Sequence, residues 1–277
     1  MALDKPPASV DQDHFRFGEN WSDFSRHIDP ARIAQAEADL ARLLPAADIV
    51  DRHLLDIGSG SGLSALAALR LGAAAVTAVD LDPDSVATSE ATLRRFAPDA
   101  RWACRKVSVF DLDAAKDGYF DIVHSWGVLH HTGAMWPAIE RAASLVAPGG
   151  LLILALYRKT PVCGFWKLEK RLYSAAPAWL QAPARGLFKL AYLAGLLATG
   201  RSPAAYIRSY SGKRGMNWSH DVHDWLGGHP YESAAPAEVH DFLGQRGFRL
   251  EREFLKPAPA LGLLGSPCDE YVFRRTP

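Results

Sequence analysis

The sequence contains few cysteines, no long uninterrupted apolar run and no excess of charge of either sign. Its three cysteines, Cys104, Cys163 and Cys268, are scattered among 277 residues and form no CxxC pair. An odd, scattered set favours neither a disulfide framework nor a zinc site, and it is usual for a chain in a reducing compartment. We therefore expect a cytoplasmic protein without a metal centre.

The lack of a long apolar run, of a basic N-terminal segment and of excess positive charge argues against a membrane-spanning, secreted or nucleic-acid-binding protein. The longest lipophilic stretch, about residues 187–199, is interrupted by Lys189 and is shorter than the roughly 20 residues that span a bilayer. The first residues show no basic segment leading into an apolar run, so we expect no secretory signal. Lysine plus arginine and aspartate plus glutamate number 31 each, which argues against a nucleic-acid partner.

Short apolar runs alternate with helical patterns from His53 to Tyr157. The expected strands are 53–57, 75–80, 102–109, 120–125 and 151–157, with helices over 62–71, 83–96 and 135–146. The alternation stops over 158–234 and resumes with a helix over 236–246 and strands over 248–255 and 271–275. Apolar strands separated by helices predict a parallel sheet that is covered on both faces.

This pattern predicts four segments. They are an N-terminal aromatic segment and helix over 1–45, a core over 46–157, a helical insertion over 158–234, and a C-terminal helix and strands over 235–277 that complete the core. Asp29 and Pro30 predict the start of the N-terminal helix, which we expect to reach Leu44. The aromatic residues over 15–21 are either a lid over a site or part of an ordinary core.

The insertion is strongly basic. Between Arg158 and Arg214 the chain has eleven lysines and arginines and a single acidic residue, Glu169. Such a segment is either a solvated helical face or a surface for an anionic or membrane-associated partner. A weak contact of residues 158–214 with a membrane surface is therefore one of the expectations.

A glycine-rich loop follows the first expected strand. Its glycines are Gly58, Gly60 and Gly62, and Asp56 precedes them. Glycine lets the backbone turn tightly and approach a ligand without a Cβ atom in the way. The dinucleotide fingerprint GxGxxG needs a glycine where Leu63 stands, which disfavours a nicotinamide dinucleotide. An acidic side chain beside free N–H groups suits a ligand that carries an ammonium and a carboxylate.

Asp80 ends the second expected strand, 18 residues after Gly62. In doubly wound sheets, ligands bind at the carboxyl ends of the strands. A carboxylate there can accept hydrogen bonds from both hydroxyls of a ribose. The alternative role of helix cap is already filled by Asp82, which precedes Pro83.

Four ordered runs carry a family resemblance. LLDIGSGSG, VTAVDLDP, FDIVHSWGVLHHT and LVAPGGLLILALY, over about residues 50–160, resemble the motifs of class I S-adenosylmethionine (SAM) dependent methyltransferases. The resemblance implies an α/β, Rossmann-like, doubly wound sheet of seven strands in the order 3-2-1-4-5-7-6, with the last strand antiparallel. A helical insertion would follow strand 5. LHHTGAMWPAIERAASLVAPGG and RGMNWSHDVHDWLGGHPYE resemble a bacterial, ubiquinone-methylase-like subgroup that acts on small molecules.

The resemblance also implies a SAM site. Gly58 and Gly60 would approach the methionine half, Asp80 would bind the ribose, and Leu81 would cover the adenine. A residue that contacts the adenine amino group often follows the third strand, where Ser108 and Val109 stand. The complete set of expected cofactor residues is Asp56, Gly58, Ser59, Gly60, Asp80, Leu81, Ser108, Val109, Ser125 and Trp126, the last two lining the methyl-donor cleft.

Two histidine-rich clusters are candidates for the acceptor side. His130 and His131 follow the fourth strand, where a histidine either deprotonates an acceptor or orients the loop. If residues 218–225 are helical, His220 lies on one face with His223 or Asp224 and could form a base dyad, a metal site or a pocket wall. The candidate bases are His130, His220 and His223; the expected acceptor-binding residues are His131, Tyr157, Arg214, Trp218, Asp224 and Tyr231.

These observations predict a SAM-dependent methyltransferase that moves a methyl group to oxygen or carbon of a small, aromatic or lipophilic metabolite. The insertion would supply the acceptor pocket. A competing hypothesis is a non-catalytic SAM-fold module that binds a partner or a membrane surface through its basic segment. A nicotinamide-linked enzyme is a third hypothesis, which Leu63 disfavours.

Overall fold

The structure is a computed structural model of the chain and describes residues 21, 25–26, 28–214, 218–263 and 265–277. For residues 209, 211–214, 220, 259 and 260 it describes the backbone only. The predicted aromatic lid therefore falls outside the described residues except for Trp21.

A seven-stranded sheet forms the centre of the molecule. Its strands, in chain order, are β1 (His53–Ile57), β2 (Ala75–Asp80), β3 (Trp102–Lys106), β4 (Phe120–Trp126), β5 (Val146–Tyr157), β6 (Phe248–Phe254) and β7 (Cys268–Arg275). Their order across the sheet is β3-β2-β1-β4-β5-β7-β6. The first five strands pair in parallel, whereas β7 is antiparallel to both β5 and β6. The predicted fold class, strand order and antiparallel last strand are confirmed.

Helices cover both faces of this sheet. They are α1 (Pro30–Leu43), α2 (Ala46–Ile49), α3 (Leu63–Arg70), α4 (Pro83–Phe96), α5 (Ala114–Asp117), α6 (Met135–Ser144) and α11 (Pro236–Gly244). Asp29 caps α1 and Asp82 caps α4, each through a side-chain oxygen that accepts a backbone N–H. Leu55 faces one apolar core and Leu54 faces the other, as expected for a strand that is buried on both sides.

The third strand ends earlier than predicted. β3 stops at Lys106, where its pairing with Asp80 of β2 ends. The Ser108 hydroxyl then accepts a hydrogen bond from the Phe110 N–H and starts a 3₁₀ turn over Val109–Asp111. The apolar run thus continues beyond the strand because a turn follows it.

The predicted boundary between α6 and β5 is wrong. The helix ends at Ser144, and Val146 already pairs with Phe120 of β4. The strand continues through a bulge because Gly149 has a φ of +76° and Gly150 lies so close to the Asp121 carbonyl that a Cβ would be 2.7 Å from it. β7 likewise begins at Cys268, three residues before the predicted start, because it pairs with β5 as far as Tyr157.

Between β5 and α11 the described residues form four helices. They are α7 (Cys163–Ala175), α8 (Ala178–Ala198), α9 (Pro203–Arg214) and α10 (Trp218–Gly227). Trp166, Tyr173, Val222, Leu226 and Tyr231 form a small apolar core of their own, against which Tyr157 packs. The four-segment division of the chain remains a prediction, but these helices are clearly placed beyond the end of β5.

Candidate cofactor and acceptor site

The glycine-rich loop lies between β1 and α3 and adopts a conformation that favours glycine. Gly58, Gly60 and Gly62 have φ angles of +77°, +52° and +75°, which are costly for residues with a Cβ. A Cβ on Gly58 would lie 2.3 Å from a methyl of Val128, and one on Gly62 would lie 2.8 Å from the Ser89 Cα. Val128 and Ser89 therefore pack so closely against Gly58 and Gly62 that neither position has room for a Cβ atom.

Hydrogen bonds hold the loop against β2 and α4. The N–H groups of Gly58 and Ser59 donate to the Val79 carbonyl at 2.8 and 3.1 Å. The buried Ser89 hydroxyl donates to the Gly60 carbonyl at 3.0 Å and accepts from the Ser59 hydroxyl at 2.9 Å. Sequence reasoning missed Ser89, because a serine within a helix carries no distinctive pattern.

Asp80 connects the loop to the end of β2. One carboxylate oxygen accepts the Gly60 N–H and the other accepts the Asp82 N–H, both at 3.0 Å. Burial raises the pKa of Asp80, although these two backbone N–H groups act in the opposite direction. Each oxygen keeps a further lone pair, so the carboxylate can still accept two hydroxyl hydrogens.

Asp56 is buried beneath the loop and pairs with a residue that the sequence reasoning missed. It lies beside His124 in the register of β1 and β4, and its Oδ1 is 2.8 Å from His124 Nδ1. Its other oxygen, Oδ2, is buried without a hydrogen-bond partner among the described residues. A buried carboxylate oxygen needs a donor, so this atom fits a cationic ligand group.

The end of β4 carries the two residues expected to line the methyl-donor cleft. The Ser125 hydroxyl is fully buried and donates to the Ile57 carbonyl at 3.1 Å, which fastens β4 to the end of β1. Trp126 is partly exposed and its indole N–H donates to Glu270 of β7 at 2.9 Å. Glu270 also accepts from Arg42 of α1 at 2.8 Å, so three elements meet at this edge.

The expected adenine contacts differ in exposure. Leu81, directly after β2, is 40% exposed, whereas Val109 is buried in the core. Ser108 uses its hydroxyl to cap the turn that follows β3. Leu81 is thus available to a planar ring, and a contact through Ser108 or Val109 remains a prediction.

Trp21 lies over the loop from the N-terminal side. A Cβ on Gly60 would be 3.0 Å from its indole ring, and the ring also packs against the core on that face of the sheet. The absence of a side chain at Gly60 makes room for this ring. Trp21 thus contacts both the loop and the core, and a lid role for the aromatic segment remains a prediction.

His130 lies in a short 3₁₀ turn after β4 and is completely buried. Its ring is 4.0 Å from the Tyr157 ring and 4.3 Å from the His131 ring, measured between centroids. Burial lowers its pKa well below the ordinary value, and the nearby His131 and Lys170 lower it further, against a small raising effect of the Ala155 carbonyl. Neither ring nitrogen has a hydrogen-bond partner among the described residues. The structure therefore presents a neutral imidazole that makes no hydrogen bond of good geometry within the described residues and has the Ala155 carbonyl beside it.

His131 is held in place by the segment that follows α10. Its Nδ1 is 2.7 Å from the Pro230 carbonyl, so this nitrogen is the donor. A Cβ on Gly228 would be 2.6 Å from its ring, so the glycine is needed for the approach. Tyr157, at the end of β5, contacts the His131 ring edge-to-face at 5.3 Å.

Next to the two histidines, aromatic rings surround a buried lysine. We call this group, Tyr157, Trp225, Tyr231 and Lys170, the aromatic wall. Tyr157 contacts Trp225 at 5.1 Å and Tyr231 at 5.6 Å. The Lys170 ammonium lies 3.6 Å from the centre of the Trp225 ring and donates to the Trp225 carbonyl. Burial lowers the pKa of Lys170, while the neighbouring Glu169 acts in the opposite direction. Sequence reasoning missed both Lys170 and Trp225, because only the fold brings α7 and α10 to the end of β5.

The predicted residues on α10 and in the segment after it divide into two groups. Tyr231 joins Tyr157 in the aromatic wall, whereas Trp218 packs on Tyr192 and Tyr206 of α8 and α9. His223 lies with its Nδ1 2.8 Å from the Tyr173 hydroxyl and 3.3 Å from an Arg185 nitrogen.

The helical conformation on which the candidate dyad depends is present, because Trp218–Gly227 is a helix. Asp224 is half-buried on it. The side chains of His220 and Arg214 fall outside the described atoms, so their roles remain predictions.

The residues around the loop fit SAM. The loop glycines leave space where Cβ atoms would stand, and the orphaned Asp56 oxygen is a ready acceptor for the α-ammonium. The Asp80 carboxylate, at the carboxyl end of the neighbouring strand, is placed for ribose hydroxyls. Acidic acceptors at both positions favour a nucleoside with a cationic tail over a dinucleotide phosphate.

Parts of the chain are similar to known methyltransferases. The profile of a family described as a methyltransferase domain matches residues 55–154. The ubiquinone biosynthesis O-methyltransferase of Neisseria meningitidis serogroup A is 28% identical over 154 residues, which are 53% of this chain and 60% of that protein. The ribosomal protein L11 methyltransferase of Trichlorobacter lovleyi is 35% identical over 40% of this chain and 34% of its own. The matches thus span about 60% or less of these relatives' lengths.

A solved structure supports the fold over most of the chain. Magnesium protoporphyrin IX methyltransferase from Synechocystis PCC 6803, crystallised with bound SAH, is similar with a TM-score of 0.52 and 16% identity. The similarity covers 89% of this chain and 84% of that one. Residues 55–154 therefore match the methyltransferase-domain profile, and the fold over most of the chain is the one seen in this SAH-bound methyltransferase.

Proposed function

We propose that the whole chain is a SAM-dependent methyltransferase that methylates an oxygen or carbon atom of a small, aromatic or lipophilic acceptor. SAM supplies a methyl group on a sulfonium, which is a good leaving group. The protein's own residues then have to align the acceptor, exclude water and receive a proton where the acceptor carries one. The observation that carries the proposal is the completely buried, neutral His130 imidazole against the ring of Tyr157.

His130 suits the role of proton acceptor. Its lowered pKa keeps the ring neutral at physiological pH, so a nitrogen lone pair is available. Tyr157 stacks on the ring and His131 is tied to the Pro230 carbonyl, so both limit its movement.

The wall composition supports an aromatic or lipophilic acceptor. Tyr157, Trp225 and Tyr231 offer ring faces and edges, which stack with planar ligands and exclude water. The buried Lys170 ammonium is the one described cation in this wall, and it would favour an acceptor that develops negative charge.

The test is a turnover assay with labelled SAM and a panel of phenols, quinols and stabilised carbon acids. We expect SAH formation with at least one member. His130→Phe preserves the stacked ring and removes both nitrogens, so we expect a loss of kcat of about 10²–10⁴-fold with unchanged SAM affinity. An acceptor that is already ionised at the assay pH should lose much less. Equal losses for both kinds of acceptor would contradict a proton-accepting role.

The competing hypothesis of a non-catalytic module makes the opposite prediction. Such a module binds SAM by calorimetry but forms no SAH with any acceptor. His223→Gln is the matched control for His130→Phe, because His223 contacts Tyr173 and Arg185 away from the wall. We expect its activity to stay near that of the wild type.

A further inference from the structure

The longest helix of the insertion has an exposed face that carries no charge. In the 21-residue helix α8, five large apolar side chains are exposed: Trp179, Leu180, Leu187, Leu190 and Leu197. The other exposed positions of this helix hold only alanine, glycine and proline. Leu187 and Leu190 are 70% and 66% exposed. A continuous apolar face of this length on a protein surface indicates a partner.

The two cations of α8 lie on its opposite side. Arg185 donates to the Tyr173 hydroxyl of α7, and Lys189 donates to the Ser219 hydroxyl of α10. The buried face of α8 therefore packs against its neighbouring helices, and the apolar face points away from them.

Helix α7 adds a second apolar stripe. Phe165, Leu168 and Leu172 are all more than half exposed and stand at positions i, i+3 and i+7, which share one face of a helix. Lys167 and Arg171 are exposed beside this stripe. The buried side of α7 contacts α10, where the Ser174 hydroxyl donates to the Gly227 carbonyl. We call the exposed faces of α7 and α8 together the insertion face.

Charge identifies the occupant of the insertion face. Of the eleven basic residues in the segment 158–214, Arg158 and Lys159 pair with acids and Lys170 is buried. Among the described side chains, the exposed cations on or next to these helices are Lys167, Arg171, Arg201 and Arg208. A second copy of the chain would place the same basic surface against itself in a symmetric dimer. An anionic bilayer surface offers hydrocarbon for the leucines and phosphate for the cations, and it suits an indole such as Trp179 at the boundary.

The helix would lie in the interface and not cross it. No helix within the described residues is long and apolar enough to cross a membrane. A helix with one apolar face and basic flanks is the form that binds parallel to the bilayer plane.

We propose that the insertion face docks the protein on an anionic lipid bilayer, so that a lipophilic acceptor reaches the aromatic wall from the membrane. The supply of the acceptor rests on the function proposed above, whereas the docking itself does not. The two are therefore tested by separate measurements.

The experiment is flotation of the full chain with vesicles of phosphatidylglycerol and phosphatidylcholine in equal parts, at low salt. We expect the wild type to float with these vesicles and to stay in solution with phosphatidylcholine alone. Leu187→Gln combined with Leu190→Gln should lower the bound fraction at least about tenfold. Val50→Gln combined with Tyr119→Gln is the matched control, because both side chains are exposed outside the insertion, and it should float like the wild type.

Further results decide the proposal. Lys167→Gln combined with Arg171→Gln and Arg208→Gln should weaken flotation and reduce its salt dependence. A wild type that fails to float, or a leucine variant that floats normally, would overturn the docking. A concentration-dependent dimer that the leucine variant abolishes, without vesicle binding, would assign the face to a second copy. Turnover of a water-soluble acceptor by the leucine variant should be unchanged, which separates loss of docking from loss of catalysis.

Discussion

The loop over residues 56–62 and the aromatic wall beyond β5 are built in different ways. The loop is shaped by backbone geometry: positive φ angles, N–H groups that donate to the Val79 carbonyl, and a carboxylate that accepts two backbone donors. The wall is shaped by side chains, with Tyr157 from β5, Lys170 from α7 and Trp225 from α10. A backbone-built site needs few particular residues, whereas a side-chain-built wall needs several that are distant in sequence.

The buried charged side chains of the two regions also differ in their hydrogen-bond partners. In the cofactor region Asp56 pairs with His124 through Oδ1, and its Oδ2 has no hydrogen-bond partner among the described residues. In the wall Lys170 is satisfied by a carbonyl and by ring faces. The free Asp56 oxygen can still accept a hydrogen bond from a cationic group. The Lys170 ammonium, in contrast, already has protein groups as its partners. This difference suggests that ligand binding changes the cofactor region more than the wall.

The largest expected effect comes from placing a methyl group on the loop. Gly58→Ala puts a Cβ 2.3–2.9 Å from Val128 at a φ of +77°. The left-handed conformation costs about 1–2 kcal/mol and the overlap about 1–3 kcal/mol more. We expect a markedly lower Tm and no measurable SAM binding by calorimetry.

The matched control for this substitution lies in the insertion. Gly186 of α8 has open space around its Cα and a right-handed conformation, so Gly186→Ala should be neutral or stabilise by about 0.5–1 kcal/mol. Equal destabilisation by both substitutions would contradict the claim that Gly58 is required by its backbone conformation and by its contact with Val128. Val128→Ala added to Gly58→Ala should recover part of the loss, because it removes the overlap and leaves the strain.

A smaller effect is expected from a substitution of Asp80, the residue proposed to bind the ribose. Asp80→Ala removes both carboxylate oxygens, and a hydrogen bond to a charged group contributes about 1.5–3 kcal/mol. SAM affinity should therefore fall about 10–100-fold in calorimetry. Because the pKa of Asp80 is raised by burial, wild-type affinity should also fall as the pH drops toward that pKa and the carboxylate gains a proton.

The control for Asp80 is its neighbour Asp82. Asp82→Ser keeps a side-chain oxygen for the Asp84 N–H and should leave SAM affinity nearly unchanged. If both variants bound SAM equally weakly, the loss would come from the helix end and not from the ribose contact.

The predictive power of the sequence follows the same division. The strand order was implied by the family resemblance, whereas the positions of the loop and of Asp80 were predictable because glycine spacing and strand-terminal acids act through local backbone geometry. Ser89, His124 and Lys170 were missed because their roles depend on elements that only the fold brings together. The end of β3 and the start of β5 were misplaced since apolar runs do not reveal a capped turn or a glycine bulge.

The smallest of these effects concerns the buried cation of the wall. Burial lowers the pKa of Lys170 in the folded chain, while the unfolded chain keeps the ordinary value of about 10.4. Between these values the unfolded state binds more protons, so the free energy of unfolding should rise with pH, at up to about 1.4 kcal/mol per pH unit. Lys170→Met keeps the length of the side chain and removes this contribution, which urea unfolding at a series of alkaline pH values would show as a flatter profile. Lys167→Met, exposed on the same helix, should keep the wild-type slope. An unchanged slope in Lys170→Met would mean that the folded chain holds Lys170 charged at alkaline pH, and the wall would then offer a permanent cation to an anionic acceptor.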